Sequence, residues 1–157
     1  MAGFVVPGCK RVVVLSDTHG RLSERLLQVL DGADLLVHAG DITSESDWET
    51  LRALAPIHGV LGNNDWYYDY GPELGRLAQF EFKGVTFAVA HYEEDLPIGQ
   101  ADVCICGHTH VARVERRGES LLINPGSASY PRGMRGATVA EIQVKDGIVA
   151  SVEIVDL

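Results

Sequence analysis

The sequence predicts an α/β fold. A parallel sheet is built by strand-helix alternation through Asp65, and later antiparallel pairs suggest a second sheet packed on it. Three observations carry this. Short apolar runs at 12–15, 35–37 and 57–61 are separated by segments of helical spacing. Each run ends in polar residues, as strands do where open α/β sheets place their sites. From Phe80 onward the pattern turns to strand-like alternation around glycine turns.

The elements follow in order. Val12-Val13-Val14-Leu15 is a β-branched run of the kind covered on both faces, and it leads into Ser16-Asp17-Thr18-His19-Gly20. Leu22, Leu26, Val29 and Leu30 share one helical face, closed by Asp31-Gly32. Leu35-Leu36-Val37 ends in His38-Ala39-Gly40-Asp41. Ser46 and Glu49 have the spacing of a capping box, which starts the second helix near Ser46; Trp48, Leu51, Leu54 and Ala55 keep its period and Pro56 stops it. The strand at 57–61 leads into Gly62-Asn63-Asn64-Asp65. Residues 80–89 read as a hairpin around Lys83-Gly84, its second strand ending at His91. The run 103–106 leads to Gly107-His108-Thr109-His110, and 111–116 pairs with 121–123 through Gly118. A last hairpin, 137–144 with 148–155, turns at Asp146-Gly147 and is assigned to the second sheet.

The chain is 157 residues long, the size of one domain, and residues 1–157 are read as such. No apolar stretch is long enough to span a membrane, and residues 1–10 show no export pattern, so a cytoplasmic protein is expected. Cys9, Cys104 and Cys106 are odd in number and fit a reducing compartment; Cys104 and Cys106 read as small buried hydrophobes rather than thiolate ligands. A net charge of −9, from 22 acidic against 13 basic residues, argues against stable nucleic-acid binding, and with it against a nuclease. A small anionic substrate is still compatible if bound cations supply local positive charge.

The chemistry lies at the strand ends. His108 and His110 follow a buried strand at i, i+2 spacing, which in an extended chain presents two imidazoles side by side. Asp17 and His19 repeat that spacing after the first strand. With Asp41, Asn63 and His91 the set is carboxylate, imidazole and one amide oxygen, without thiolate. Such donors suit Mn²⁺, Fe²⁺, Ni²⁺ or Zn²⁺. Seven side chains are too many for one catalytic ion with an open position and suit two ions sharing a carboxylate, for which Asp41 is the natural bridge. Two divalent ions, less two carboxylates and a bridging hydroxide, leave one positive charge, which a phosphodiester monoanion neutralises.

Asp17-Thr18-His19, Gly40-Asp41, Gly62-Asn63-Asn64-Asp65, His91, Gly107-His108-Thr109-His110 and Asn124-Pro125-Gly126-Ser127 occur in the order and spacing of the calcineurin-like metallophosphoesterases. With Pro131-Arg132 and the compact length, the chain most resembles the small YfcE-type phosphodiesterase branch, over residues 11–132. The resemblance implies a two-sheet β-sandwich flanked by helices, the four-layer αββα metallophosphoesterase fold. It implies Asp17, His19, Asp41 and His110 around one metal, and Asp41, Asn63, His91 and His108 around the other, with Mn²⁺ the first expectation. It also implies hydrolysis of small phosphodiesters by a metal-bridging water acidified from 15.7 toward about 7.

Two departures stand out. Asn64 occupies the position where the superfamily often has a histidine that protonates the leaving group, and an amide supplies no proton. A slow enzyme favouring acidic leaving groups follows, since a placed acid is worth about 10² to 10⁴ in rate. His91-Tyr92-Glu93 stands where the branch usually has His-Gly-His, and Glu93-Glu94-Asp95 brings negative charge near the site. The alternative is a weak or silent protein-binding scaffold on the same fold, and a homo-oligomer is left open.

His38 and His58 read as packing histidines, with His38 placed to touch the site from behind. Trp66-Tyr67-Tyr68-Asp69-Tyr70 is an aromatic cluster that packs or stacks on substrate. Asn124 is given a structural role, and Arg132 is a candidate phosphate contact.

Overall fold

The computed structural model describes residues 8–157, so most of the segment read for an export pattern lies outside the described residues. Among the described residues, ten strands form two five-stranded sheets. The first contains β1 (Lys10–Leu15), β2 (Leu35–His38), β3 (Ile57–Gly59), β9 (Thr138–Lys145) and β10 (Ile148–Asp156), in the order β10-β9-β1-β2-β3. The second contains β4 (Leu77–Phe82), β5 (Val85–Ala90), β6 (Val103–Ile105), β7 (Ala112–Arg117) and β8 (Ser120–Pro125), in the order β4-β5-β6-β8-β7. β1, β2 and β3 run parallel, as do β5, β6 and β8.

The period of two along β1 sorts its side chains between two cores. Val12 and Val14 point into the sandwich, where they meet Leu35 and Val37 and, from the facing sheet, Val85, Phe87, Val89, Val103, Ile105 and Ile123. Val13 and Leu15 point outward to Leu26, Val29 and Leu30 of α1 (Glu24–Leu30) and Leu51 of α2 (Glu45–Leu54). The outer face of the second sheet buries Ala88, Ala90, Cys104, Cys106 and Leu122 under Leu96, Ala101 and Ile98. Those covering residues belong to the segment after β5, which opens with a single 3₁₀ turn, Glu93–Asp95. Cys104 and Cys106 are free and buried, as expected.

Two expectations are corrected. The 137–155 hairpin does not join the second sheet: β9 pairs antiparallel with β1, and β10 extends that sheet. Alternation reveals which side chains share a face, and carries no information on which strand becomes the neighbour. The second helix starts two residues early, because Ser44 is its N-cap and its Oγ accepts from the Asp47 backbone N–H at 3.1 Å. Ser44-x-x-Asp47 and Ser46-x-x-Glu49 overlap, and the earlier pair takes the cap. The tight turns are as expected: Lys83-Gly84 and Asp146-Gly147 each place two successive residues at positive φ, the backbone of a two-residue hairpin turn.

Candidate metal centre

Parallel strands in both sheets end at one edge of the sandwich, and the loops leaving β1, β2, β3, β5 and β6 meet there. The backbone of these loops is unusual. Asp17 (φ 53°), His19 (49°), Asp41 (60°), His108 (70°) and His110 (62°) all lie in the left-handed region. Asp and His tolerate that region better than most residues, and clustered strain marks positions held by their surroundings. Backbone bonds supply the hold: Asp17 N–H to Gly40 O at 2.9 Å, His19 N–H to Asp41 O at 3.0 Å and Gly20 N–H to Ile42 O at 2.8 Å.

Two groups of donor atoms result, Asp17-His19-His110 and Asp17-Asp41-His91, with the atoms of each group within 4.8 Å of one another. His110 Nε2 lies 3.2 Å from Asp17 Oδ1 and 3.3 Å from His19 Nε2. Asp41 Oδ2 lies 3.6 Å from His19 Nε2 and 3.5 Å from His91 Nε2. Asn63 Oδ1 is 3.1 Å from His91 Nε2. Asp17 Oδ1 faces all three imidazoles, so it spans the two groups as much as Asp41, which was expected to bridge alone.

The proton inventory decides what this arrangement can hold. His91 Nδ1 donates to the Ala39 carbonyl at 2.8 Å and His110 Nδ1 to the Tyr130 carbonyl at 2.5 Å. Those bonds fix Nδ1 as the protonated nitrogen of each ring, so that in its neutral form each ring turns an Nε2 lone pair toward the carboxylates. Asp17 Oδ2 accepts from Ser16 Oγ at 2.5 Å and His108 N–H at 3.1 Å, while buried Asp17 Oδ1 receives no hydrogen bond. Acceptors thus converge where a buried acceptor needs a positive partner, and the donor set fits a divalent cation. Burial alone would raise the Asp17 carboxyl, but the His19 ring 3.6 Å away, with His91, Ser16 and His110 nearby, holds it below its ordinary range. The His19 imidazole is raised, chiefly by the Asp17 carboxylate 3.6 Å from its Nε2.

The i, i+2 argument for His108 and His110 fails in its geometry. Both lie beyond β6 at positive φ, so the chain is not extended there, and the rings part. His110 is buried beside His19, with ring centroids 5.2 Å apart. His108 is exposed and packs edge-on to His91, at 5.1 Å, and against Tyr92, at 4.7 Å. His110 thus lies with Asp17 and His19, and His108 beside His91.

Several supporting residues were missed or given another role. Asp65 was quoted in its motif and assigned nothing. Its buried carboxylate accepts backbone N–H bonds from Asp41 (2.7 Å), Gly62 (2.8 Å), Thr43 (2.9 Å) and Ile42 (3.0 Å), and one from Tyr70 Oη (2.7 Å). A carboxylate two residues past a candidate ligand, in a Gly-Asn-Asn turn, is the signal that pointed to it. Asn64 holds Asp41 through its backbone N–H, 3.0 Å from Oδ1, and through Nδ2, 2.9 Å from Oδ2. His38 is buried behind the site as expected. Its Nδ1 accepts from Gly40 N–H and its Nε2 donates to Thr18 Oγ1, and burial lowers its pKa to about 4. His58 is exposed, yet packs by stacking on Phe80 at 3.8 Å.

Asn124 is structural: Nδ2 donates to Gly107 O and Thr109 Oγ1, and Oδ1 accepts from Gly126 N–H. Arg132 is exposed, and its backbone N–H bonds the His110 carbonyl. The aromatic cluster divides: Tyr70 is buried on Asp65, while Trp66 is 60% exposed.

Known proteins share this chain's sequence pattern and fold. The family model described as the calcineurin-like phosphoesterase superfamily domain matches residues 11–147. A probable metallophosphoesterase of Methanothermobacter thermautotrophicus is 34% identical over 136 residues, covering 76% of this chain and 77% of the relative. Phosphodiesterase YfcE of Escherichia coli is 31% identical over 150 aligned positions, covering 78% of this chain and 82% of YfcE. The solved YfcE structure superposes with a TM-score of 0.72 at 27% identity, over 92% of this chain and 98% of that one. Vps29 from Entamoeba histolytica, described as complexed with Zn²⁺, gives a TM-score of 0.73 at 20% identity, over 92% of this chain and 97% of that one, a likeness of fold alone. By sequence and by fold, this chain belongs to the calcineurin-like phosphoesterase superfamily.

Proposed function

We propose that the protein is a metal-dependent phosphodiesterase of small phosphodiesters, a single domain over residues 1–157 that works in the cytoplasm with two divalent cations, Mn²⁺ first. One observation carries this reading: buried Asp17 Oδ1 has no hydrogen-bond donor while three imidazole Nε2 atoms surround it, two of them on rings whose Nδ1 is committed to a backbone carbonyl. Asp17, His19, Asp41 and His110 are assigned to one cation, and Asp41, Asn63, His91 and His108 to the other. What the pair supplies there is Lewis acidity: an acidified water as nucleophile and stabilised charge on the phosphoryl oxygens.

The chain's own residues do the rest. Asp65 ties the loops after β2 and β3 together, and Asn64 turns the Asp41 carboxylate toward His19 and His91. Neutral His38 fixes the Gly40 amide and the Thr18 hydroxyl. Ser127 Oγ donates to the Asp17 carbonyl at 2.7 Å, which anchors the first loop to the second sheet. Asn64 has no proton to give and its amide is committed to Asp41, so the leaving oxygen departs as an anion or takes its proton from water. Esters with acidic leaving groups are therefore favoured.

The test is elemental analysis of the purified protein together with turnover of bis(p-nitrophenyl) phosphate under added Mn²⁺. Bound divalent metal with diester turnover, abolished by Asp41→Asn, is expected. Metal without turnover under any of Mn²⁺, Fe²⁺, Ni²⁺ or Zn²⁺ overturns the enzyme in favour of a scaffold. Metal content alone does not separate the two, given a Vps29 structure described with Zn²⁺.

A further inference from the structure

Two cavities open on the candidate centre, and Tyr92 is the wall between them. The larger, about 520 Å³, extends from His108 past Leu96 and Ile98. The smaller, about 290 Å³, lies beside Asn63 and His91 and is bounded by Trp66. Tyr92 borders both. Its ring is held in place, with its centroid 4.7 Å from that of His108 and 5.3 Å from that of His91. Asn63, His91 and His108 thus stand where the two cavities meet.

We propose that these cavities receive the two ester arms of one phosphodiester, with Tyr92 as the partition and the phosphoryl group at Asn63, His91 and His108. The aromatic arm lies against Trp66, and the second arm, uncharged or cationic, fills the larger cavity. The proposal rests on the phosphodiesterase reading and adds the substrate class to it. Two arms diverge from one phosphorus, and two cavities diverge from one edge of the site. A monoester has a single arm and leaves one of them empty.

The linings decide the arms. Trp66 presents an indole, 60% exposed, at the mouth of the smaller cavity, where a flat ring can stack. Charge in that cavity is balanced, since Arg76 pairs with Asp95 at 2.8 Å. In the larger cavity Leu96 and Ile98 give an apolar side. Glu93 is neutralised there by Arg113 at 2.8 Å and Arg117 at 3.2 Å, while Arg113 is shared with Glu115 at 2.9 Å. Glu94 also lines this cavity and has no ion-pair partner among the described residues. An arm carrying a further phosphate meets that uncompensated carboxylate and is repelled.

The experiment compares Trp66→Ala, which empties one wall, with Ile98→Trp, which fills the other cavity. Mn²⁺-loaded protein is assayed on bis(p-nitrophenyl) phosphate and on the monoester p-nitrophenyl phosphate. Diester kcat/KM falls by about tenfold in each variant, mainly through KM, the size expected for loss of one stacking or cavity contact. Monoester kcat/KM falls in at most one of them. A diester-to-monoester ratio that stays within about twofold of wild type in both variants overturns the two-cavity assignment. A binding readout is independent of turnover: diphenylphosphinate, which has no ester bond, is titrated into Zn²⁺-loaded protein while tryptophan emission is followed. A saturating change, lost in Trp66→Phe, is expected, and flat emission overturns the placement of the aromatic arm. Wild-type protein that splits neither ester with Mn²⁺, Fe²⁺, Ni²⁺ or Zn²⁺ overturns the phosphodiesterase reading itself; turnover with an unmoved ratio overturns only the cavities.

Discussion

Asp65→Asn tests whether one carboxylate holds the metal loops. The two oxygens take different partners. Oδ2 accepts from the Asp41 and Gly62 amides, and Oδ1 from the Ile42 and Thr43 amides and Tyr70 Oη. An asparagine keeps one oxygen. In its better orientation the amide nitrogen replaces Oδ2 and faces two backbone N–H donors, leaving both unsatisfied in a fully buried position. Each orphaned donor costs about 1–3 kcal/mol, so a destabilisation of about 4 kcal/mol is expected. That is a large share of the roughly 5–15 kcal/mol by which domains are stable. Urea unfolding of the metal-free protein measures it, with Tyr70→Phe as the control that removes only the hydroxyl donor and loses about 1–2 kcal/mol. Because Asp41 and Gly62 both lose their anchor, Mn²⁺ affinity in the folded variant falls as well. An Asp65→Asn protein within about 1 kcal/mol of wild type refutes the claim that these bonds organise the loops.

Three further outcomes are expected. In Gly107→Ala a Cβ would lie 2.8 Å from Asp17 Oδ2 and closer still to Ser16 Oγ, so titration calorimetry should show metal affinity falling by about tenfold or more while the fold loses about 1–3 kcal/mol; unchanged affinity removes the close approach from the account. Asn64→His should raise turnover of diesters with poor leaving groups by about tenfold or more relative to aryl diesters, because it adds a proton donor; equal effects on both classes discard the missing-acid explanation. His38 is held neutral in the fold at a pKa of about 4, against an ordinary value of 6.5. The unfolded chain therefore binds a proton that the fold refuses as pH falls below about 6.5, and stability is full above that value and declines toward about 4. Between pH of about 7.5 and about 5.5 the wild type should lose about 1 kcal/mol more than His38→Asn, measured by urea unfolding of metal-free protein; parallel losses show that His38 is not the group responsible.

The strands and the chemical type of the candidate ligands were legible because both depend on local signals. Val12-Val13-Val14-Leu15 and Leu35-Leu36-Val37 are fully apolar runs, and polar residues at the ends of buried strands have few bland uses once several recur. Spatial relations were less legible. His108 and His110 point apart because each lies at positive φ, a conformation that their spacing does not encode and that Asp17 helps impose by accepting the His108 amide. The partner of β9 depends on a strand more than a hundred positions away, beyond the reach of any periodicity. Asp65 was overlooked because a carboxylate bonding to amides has the same letter as one bonding to a metal, or to nothing. Asn64 was read for the proton it lacks, while the amide it offers to Asp41 emerges only when the loops fold together.

The seat of β1 between β2 and β9 bears on how the protein is made. β1 carries Asp17 at its exit, and one flank of its backbone is closed only by residues 140–144. A ribosome delivers those residues more than a hundred positions later, so the nascent sandwich waits with an apolar strand open on one side. Such long-range pairing slows folding, and an open strand invites pairing with other chains. A chain interrupted before residue 138 therefore carries every candidate metal ligand on a first sheet that lacks two of its five strands, β9 and β10.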